Sequence, residues 1–403
     1  MSDLKTRLPG SPSGFPGSVR TLLASELTTA FGIGLTQPYL IVLLHSHRGI
    51  ALALATGVVS LAAITSLLGN PLAGVLIDRF GGRTVMVLGL MIAAAGMLLL
   101  AATPGLFAAA AGVAVTGLGW SISIPALATR LAVLTPPDRH QRVYTLQFVM
   151  FNIGMAAGAG LGALFLGPRM PVLWLAAALF CLISIGLVLI TGRSATAPVP
   201  VEGRTAGGYR EALRDRYLLL LLGAAALLST VGYGLFNAAP SLLAIAAGDP
   251  AALSWLSVAN CVTIIAGAPI AWRLTARLPA RTALLATAGL WALAWAVCIP
   301  EALPIRAELT CAAVLVGAGE LLLAGALPTL VNAIAPDDLR GRYNALSSLS
   351  LTTGMAVGPL LTSATAASGR ITPILYGAVA LAAVAAFLLC YARPGEAPVD
   401  AQP

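Results

Sequence analysis

Twelve stretches of this chain run for about twenty residues or more with almost no charge, and that pattern decides what it can fold into. They fall near 19–45, 50–77, 84–103, 105–134, 143–166, 171–192, 216–245, 251–275, 282–300, 307–335, 343–366 and 371–392. About 20 apolar residues cross the hydrocarbon of a bilayer as a helix. No water is present there to satisfy the backbone, so each crossing must bond to itself. Of the 403 residues 58% are hydrophobic and only 9% charged, whereas a soluble domain carries roughly 25% charged residues. The expected fold is an all-α membrane protein with 12 transmembrane helices, and a soluble enzyme is excluded.

The net charge of +8 raises the question of nucleic acid, but its placement answers it. Basic residues collect on alternate loops: eighteen lysines and arginines lie on the side of the termini and four (Arg48, Arg169, Arg306, Arg370) on the other. That asymmetry sets orientation in a membrane. It predicts a multi-pass protein of the inner (cytoplasmic) membrane with both termini in the cytoplasm and no nucleic-acid partner. The one lysine, Lys5, beside 22 arginines fits a GC-rich coding genome. The five cysteines stand singly in apolar runs and form neither a disulfide framework nor a metal cluster. Residues 1–18, rich in Pro, Gly and Ser, read as a disordered cytoplasmic tail, and 393–403 as a second tail. Residues 193–215 form a cytoplasmic linker whose YREALRDRY stretch predicts a short basic helix on the membrane surface. The linker divides 19–192, six helices, from 216–392, six more.

The two halves are repeats. Gly117–Ala163 aligns without a gap on Gly317–Ser363, with 14 identities in 47 positions, including Gly119/Gly319, Pro136/Pro336, Arg142/Arg342, Gly154/Gly354 and Gly158/Gly358. Gly69–Thr84 recurs as Gly267–Thr282, and GIGLTQ (Gly32–Gln37) recurs as GYGLFN (Gly232–Asn237). Two pseudo-symmetric six-helix bundles follow, with a substrate path expected where such repeats meet.

Between the second and third apolar runs lies GNPLAGVLIDRFGGRT (Gly69–Thr84). Its Gly-x-x-x-Asp-Arg-x-Gly-x-Arg pattern, in Gly74, Asp78, Arg79, Gly81 and Arg83, resembles the loop signature of the major facilitator superfamily of transporters. The resemblance implies alternating access between the two bundles. It also implies that Asp78 latches onto the start of the eleventh helix, near 342–344, where free backbone N–H groups attract an acid. The alternative is a solvated loop whose arginines only fix topology. In the second copy Ala276 replaces Asp78 and Pro279 replaces Gly81, so only the first copy can latch.

A charge inside hydrocarbon is expensive and by default marks a pathway. Glu320 lies deep in the tenth helix, where its repeat partner is Trp120, so the carboxyl is no legacy of the duplication. It is the leading proton-coupling residue, against the plainer reading of a structural acid; proton-driven exporters of the family carry an acid on this helix. Glu26, one to two turns into the first helix, is the second. Arg130 lies at similar depth in the fourth helix and is an ion-pair candidate for Glu26, or a side chain snorkelling to the headgroups.

Gly154, Gly158, Gly160 and Gly162 give the fifth helix a flat face for close packing. They resemble the family's antiporter motif, although Ala159 stands in its proline position and Val113 replaces its arginine on the fourth helix. Gln37, Tyr39, Trp120, Asn152, Tyr233 and Asn237 are substrate-cavity candidates, whereas Trp255, Trp272, Trp291 and Trp295 read as interfacial or lipid-facing. The spans hold no nucleophile–base group and no metal-ligand spacing, so no catalytic or metal site is expected. The reading that gathers these features is a monomeric transporter, drug:proton antiporter in type, exporting small apolar or weakly cationic molecules. No cofactor is expected; the energy source is the proton gradient. A sugar or metabolite porter and a non-transporting membrane sensor are the alternatives.

Overall fold

The computed structural model describes residues 15–102, 104–136, 139–192, 208–275, 278–299, 303–336, 339–368 and 372–391. Among them there is no strand, and twelve helical segments are long and apolar enough to cross a membrane. Spans 1–6 are Gly17–His47, Leu52–Ile77, Gly82–Ala102, Leu106–Leu134, Val143–Phe165 and Val172–Ile190. Spans 7–12 are Arg216–Ala246, Ala252–Ala271, Ala280–Val297, Ile305–Ile334, Arg342–Ala367 and Thr372–Cys390. The tail expected to reach residue 18 gives way earlier: the first helix starts at Gly17 and Phe15 is already buried. Of the linker, the described part is one helical turn, Gly208–Ala212, followed by Asp215. Asp215 N-caps span 7 by accepting from the N–H groups of Tyr217 (2.9 Å) and Leu218 (3.2 Å), as a short acid does at a helix start. Its other oxygen accepts from the Tyr343 hydroxyl at 3.0 Å.

The helix of span 2 runs on to Phe80 and that of span 3 starts at Gly82, so one residue turns the chain. Gly81 at φ 77° reverses the chain in the left-handed region that glycine enters without strain.

The chain packs as two units, residues 1–37 with 68–200 and residues 38–67 with 201–403. The six-and-six division expected from sequence follows the duplication; the packing assigns 38–67 to the second unit. The first break falls where the chain runs through a 3-10 turn, Gln37–Tyr39. Pro38 there lacks the N–H that would continue the helical ladder.

Within unit 1, spans 1 and 5 cross with almost nothing between their backbones. A Cβ added at Gly154 would lie 2.5 Å from the Leu27 carbonyl oxygen, and one at Gly158 would lie 2.8 Å from the Leu35 nitrogen. The glycine face read from sequence is therefore a helix crossing. Unit 2 repeats it between spans 7 and 11, where a Cβ at Gly354 would lie 2.5 Å from Ala226 O and one at Gly358 would strike Gly234. Also within unit 2, Ser363 Oγ donates to Ala53 O at 2.5 Å, and the Tyr39 hydroxyl is hydrogen-bonded to Ser254.

Two arginines close helix ends in the same way in the two units. Arg83, at the start of span 3, donates Nε to Val188 O (3.5 Å) and Nη2 to Leu189 O at the end of span 6. Arg281, its repeat partner, donates Nε to Leu389 O (2.7 Å) and Nη2 to Cys390 O at the end of span 12. The last carbonyls of a helix have no partner of their own and carry its negative pole, so a guanidinium satisfies both needs.

Candidate functional site

Glu320 sits midway along span 10, the sixteenth residue of a thirty-residue helix. The residue is half-buried, and its carboxyl is hydrogen-bonded to the Asn260 side chain from span 8. Asn260 Nδ2 is in turn 3.5 Å from Ala313 O. Tyr233 on span 7 and Cys261 on span 8 are the other titratable side chains within electrostatic reach. No described cation pairs with it. From sequence, Asn260 is one of the polar span residues that could line a cavity; its role as the partner of Glu320 appears only in the fold.

The segment that carries Tyr233 is irregular. Span 7 is α-helical from Arg216 to Ser229, π-helical over Thr230–Gly234, and helical again from Ala239. Tyr233 meets the Trp291 ring edge-on, 5.6 Å between centroids at 71°. Trp291 and Trp295 depart from the lipid-facing expectation, being 0% and 2% exposed. Glycines make the room for them: a Cβ at Gly319 would fall 2.7 Å from Trp291 Cδ1. Trp255 is 53% exposed. Asn237, beside the break, is half-buried.

In unit 1 Glu26 is half-buried and accepts from Gln147 Nε2 of span 5 at 3.4 Å. The adjoining face of span 1 is tied to span 6, Thr29 Oγ1 donating to Ser184 Oγ at 2.8 Å. The proposed pairing of Glu26 with Arg130 is corrected. Arg130 is 6% exposed and donates Nη2 to Thr191 Oγ1 (2.9 Å), Thr191 O (3.2 Å) and Gly192 O (3.4 Å) just beyond span 6. A guanidinium whose Nη2 is bound at a helix C-terminus is held there by the helix's negative pole, which explains why it does not pair with Glu26; its Nε has no partner among the described residues.

The loop residues separate. Gly81 makes the turn, Arg83 caps span 6, and Arg79 is exposed with its guanidinium 5.3 Å from the centre of the Phe80 ring. Gly74 faces open space. The side chain of Asp78 lies outside the described residues, so the latch does too. Among the cavity candidates, Trp120 is half-buried and Gln37 exposed. Tyr39 is 0% exposed and Asn152 4%; Asn152 Nδ2 bonds within its own helix to Phe148 O at 2.9 Å. These two are packed in rather than lining a space. The sequence reading missed Glu308, 4% exposed in the first turn of span 10. It accepts from Leu303 N, just ahead of the helix, at 3.4 Å. A groove of about 560 Å³ lined by Leu235, Leu361, Thr365 and Ile374 lies in unit 2. It contains no titratable group and offers no chemistry to compare with Glu320.

The sequence matches the pattern of the Major Facilitator Superfamily over residues 22–248 and again over 222–403. The chain belongs to the Major Facilitator Superfamily. It is a multi-pass membrane transporter, not an enzyme. This superfamily member is 26% identical over 385 residues to the uncharacterized MFS-type transporter YhjO of Bacillus subtilis, covering 94% of this chain and 92% of that one. The multidrug resistance protein MdtH of Yersinia pestis is 30% identical over 190 residues, 45% of each chain. Among solved structures, a point mutant of the nucleoside transporter NupG superposes with a TM-score of 0.82 at 12% identity, covering 94% of this chain and 100% of that one. The POT family transporter PepTSo superposes at 0.74 with 15% identity, covering 94% and 98%. At those identities the two structures speak for the superfamily fold alone.

Proposed function

We propose that this transporter exports small apolar or weakly cationic molecules in exchange for protons, by alternating access, with Glu320 as the coupling group and Glu26 assisting. The observation that carries the reading is the setting of Glu320: a carboxyl halfway along a membrane span whose described partner is a neutral amide. A permanently structural charge in hydrocarbon takes a cation as partner. A carboxyl beside an amide is free to exist with or without its proton. The partial relationship to MdtH, a multidrug resistance protein, agrees with efflux as the direction. The orientation belongs to the same proposal: basic loops and termini in the cytoplasm, in the inner membrane, with the chain acting as a monomer.

For a neutral substrate, one proton moving down ~100 mV supplies ~2.3 kcal/mol, enough to hold a gradient of roughly 50-fold at 1.4 kcal/mol per decade. Against a singly charged cation the exchange is electroneutral, and the pH difference alone drives it at ~1.4 kcal/mol per unit. The test is a growth-inhibition panel of cationic dyes and antibiotics in an efflux-deficient host, followed by dye efflux from proteoliposomes under an imposed pH gradient. Wild type should respond to the gradient, and Glu320→Gln should not. Efflux by Glu320→Gln that still tracks the gradient removes Glu320 from the mechanism. Protection against none of the panel removes drug-like substrates.

A further inference from the structure

We infer that Trp291 and Trp295, one turn apart on span 9, are positioning residues that hold the Glu320–Tyr233 site in shape by binding the backbones of the two helices that carry it. The inference deepens the reading of Glu320 as coupling group and, for its proton-linked part, rests on it.

The argument starts from main-chain accounting. In the irregular stretch of span 7, Leu235 N donates to Thr230 O, five residues back, at 2.8 Å. An α-helix would have paired that N–H with the carbonyl of Val231, four residues back. The Val231 carbonyl therefore loses its ladder partner inside a membrane span, where water cannot replace it. Trp295 replaces it: Nε1–H donates to Val231 O at 3.0 Å. One turn earlier on the same face, Trp291 Nε1–H donates to Val316 O at 2.9 Å. Val316 is four residues before Glu320, so its carbonyl is the one that the Glu320 N–H uses in the helix of span 10. The ring of Trp291 also lies on Gly232 and Gly319 and meets Tyr233 edge-on. Span 9 thus grips span 7 two residues before Tyr233 and span 10 one turn before Glu320.

The duplication supplies an independent observation. Gly119 packs against the backbone of Ala93 where Gly319 packs against Trp291, so Ala93 and Met97 occupy the places of the two tryptophans. Span 1 is α-helical without interruption from Gly17 to Thr36, and Trp120 stands where Glu320 does. At matching places the π-helical stretch Thr230–Gly234, both tryptophans and the carboxyl are present in one copy and absent from the other, whose own π-helical stretch, Leu43–His47, lies later, at the end of span 1. A bulge kept only for packing has no reason to track a carboxyl one helix away.

The test replaces Trp295 and, separately, Trp291 with phenylalanine and with 3-benzothienylalanine, which exchanges the indole N–H for sulfur and keeps the ring. The analogue preserves the experiment if phenylalanine prevents folding. Hydrogen exchange by mass spectrometry on the purified protein reads span 7, and infrared pH titration reads the carboxyl band that Glu320→Gln removes. Neither Tyr233 nor Cys261 contributes a carboxyl to that band. At position 295, exchange in peptides covering 230–238 should rise roughly tenfold, as expected when a buried carbonyl loses its donor, with spans 1 and 5 unchanged. At position 291, the midpoint of the Glu320 band should move by about 0.5 pH unit or more. Wild-type exchange with the analogue at 295, or a midpoint within about 0.1 unit with the analogue at 291, overturns the inference. If Glu320→Gln removes no titrating band, the coupling reading fails, and hydrogen exchange still decides whether Trp295 holds span 7.

Discussion

Replacing Gly158 with alanine adds one carbon where spans 1 and 5 touch through their backbones. The new Cβ would strike the Phe31 carbonyl oxygen and sit 2.8 Å from Leu35 N and 3.0 Å from Gly34 C, against ordinary contact beginning at 3.4 Å. Backbone atoms cannot rotate aside, so the helices must part by about an ångström along the crossing, forfeiting dispersion contacts on either side. Overpacking of this kind costs about 1–3 kcal/mol, offset by the ~0.5–1 kcal/mol that alanine gains over glycine in a helix interior. The net loss is about 1–2 kcal/mol. Gly160, half a turn away, has nothing within 4 Å of its would-be Cβ, so Gly160→Ala should gain the ~0.5–1 kcal/mol uncompensated. The two variants should differ by about 2 kcal/mol, a factor of about 30 in the folded-to-unfolded ratio. With exposed Cys311 and Cys390 replaced by serine, buried Cys181, Cys261 and Cys298 suit a thiol-reactive dye as the reporter of thermal unfolding in detergent. Equal shifts in the two variants, or an unchanged Gly158→Ala, would refute the account of the crossing.

Three further outcomes are expected. Arg281→Ala should lower stability by about 1 kcal/mol, the reduced worth of a half-exposed charged donor, and Arg83→Ala should do the same by thermal melting. A large disparity between the two contradicts their equivalence as helix caps. Asp249 is hydrogen-bonded to Arg306 at 2.6 Å, and that guanidinium holds its carboxyl below the usual carboxylate range. Its contribution is present above the unfolded value near 3.9 and is lost as pH falls through the lower folded value. Asp249→Asn should therefore lower the melting temperature slightly at neutral pH, and its difference from wild type should vanish as pH falls below about 4. Ser363→Ala deletes the bond to Ala53 O and should cost about 1 kcal/mol; melting identical to wild type would show that bond to be idle.

Span count, repeat and glycine crossings were all legible in the sequence, because each rests on periodic apolar composition or on a residue type with one physical use. Glu320 was legible too, since a charge in hydrocarbon is conspicuous by itself. Partner identity was not legible. Arg130 and Glu26 share a depth but face different neighbours, and facing depends on helix rotation that sequence spacing does not encode. Trp291 and Trp295 were misjudged because tryptophan is common at membrane interfaces, and only the glycines opposite them show that the rings turn inward. The clue was present in the repeat, where Ala93 and Met97 hold the matching places. The break of span 7 left no such mark: TVGYG contains no proline, and the bulge became visible only through its hydrogen bonds.

The forked caps made by Arg83 and Arg281 bear on how such a chain can drift. At loop positions that only orient the protein, lysine serves as well as arginine, and a genome losing GC content would exchange one for the other without consequence. At 83 and 281 it could not. Nε and Nη2 reach two successive carbonyls at once, while an ammonium on a flexible stem offers a single point of contact. These two codons should therefore resist a pressure that the other basic loops absorb.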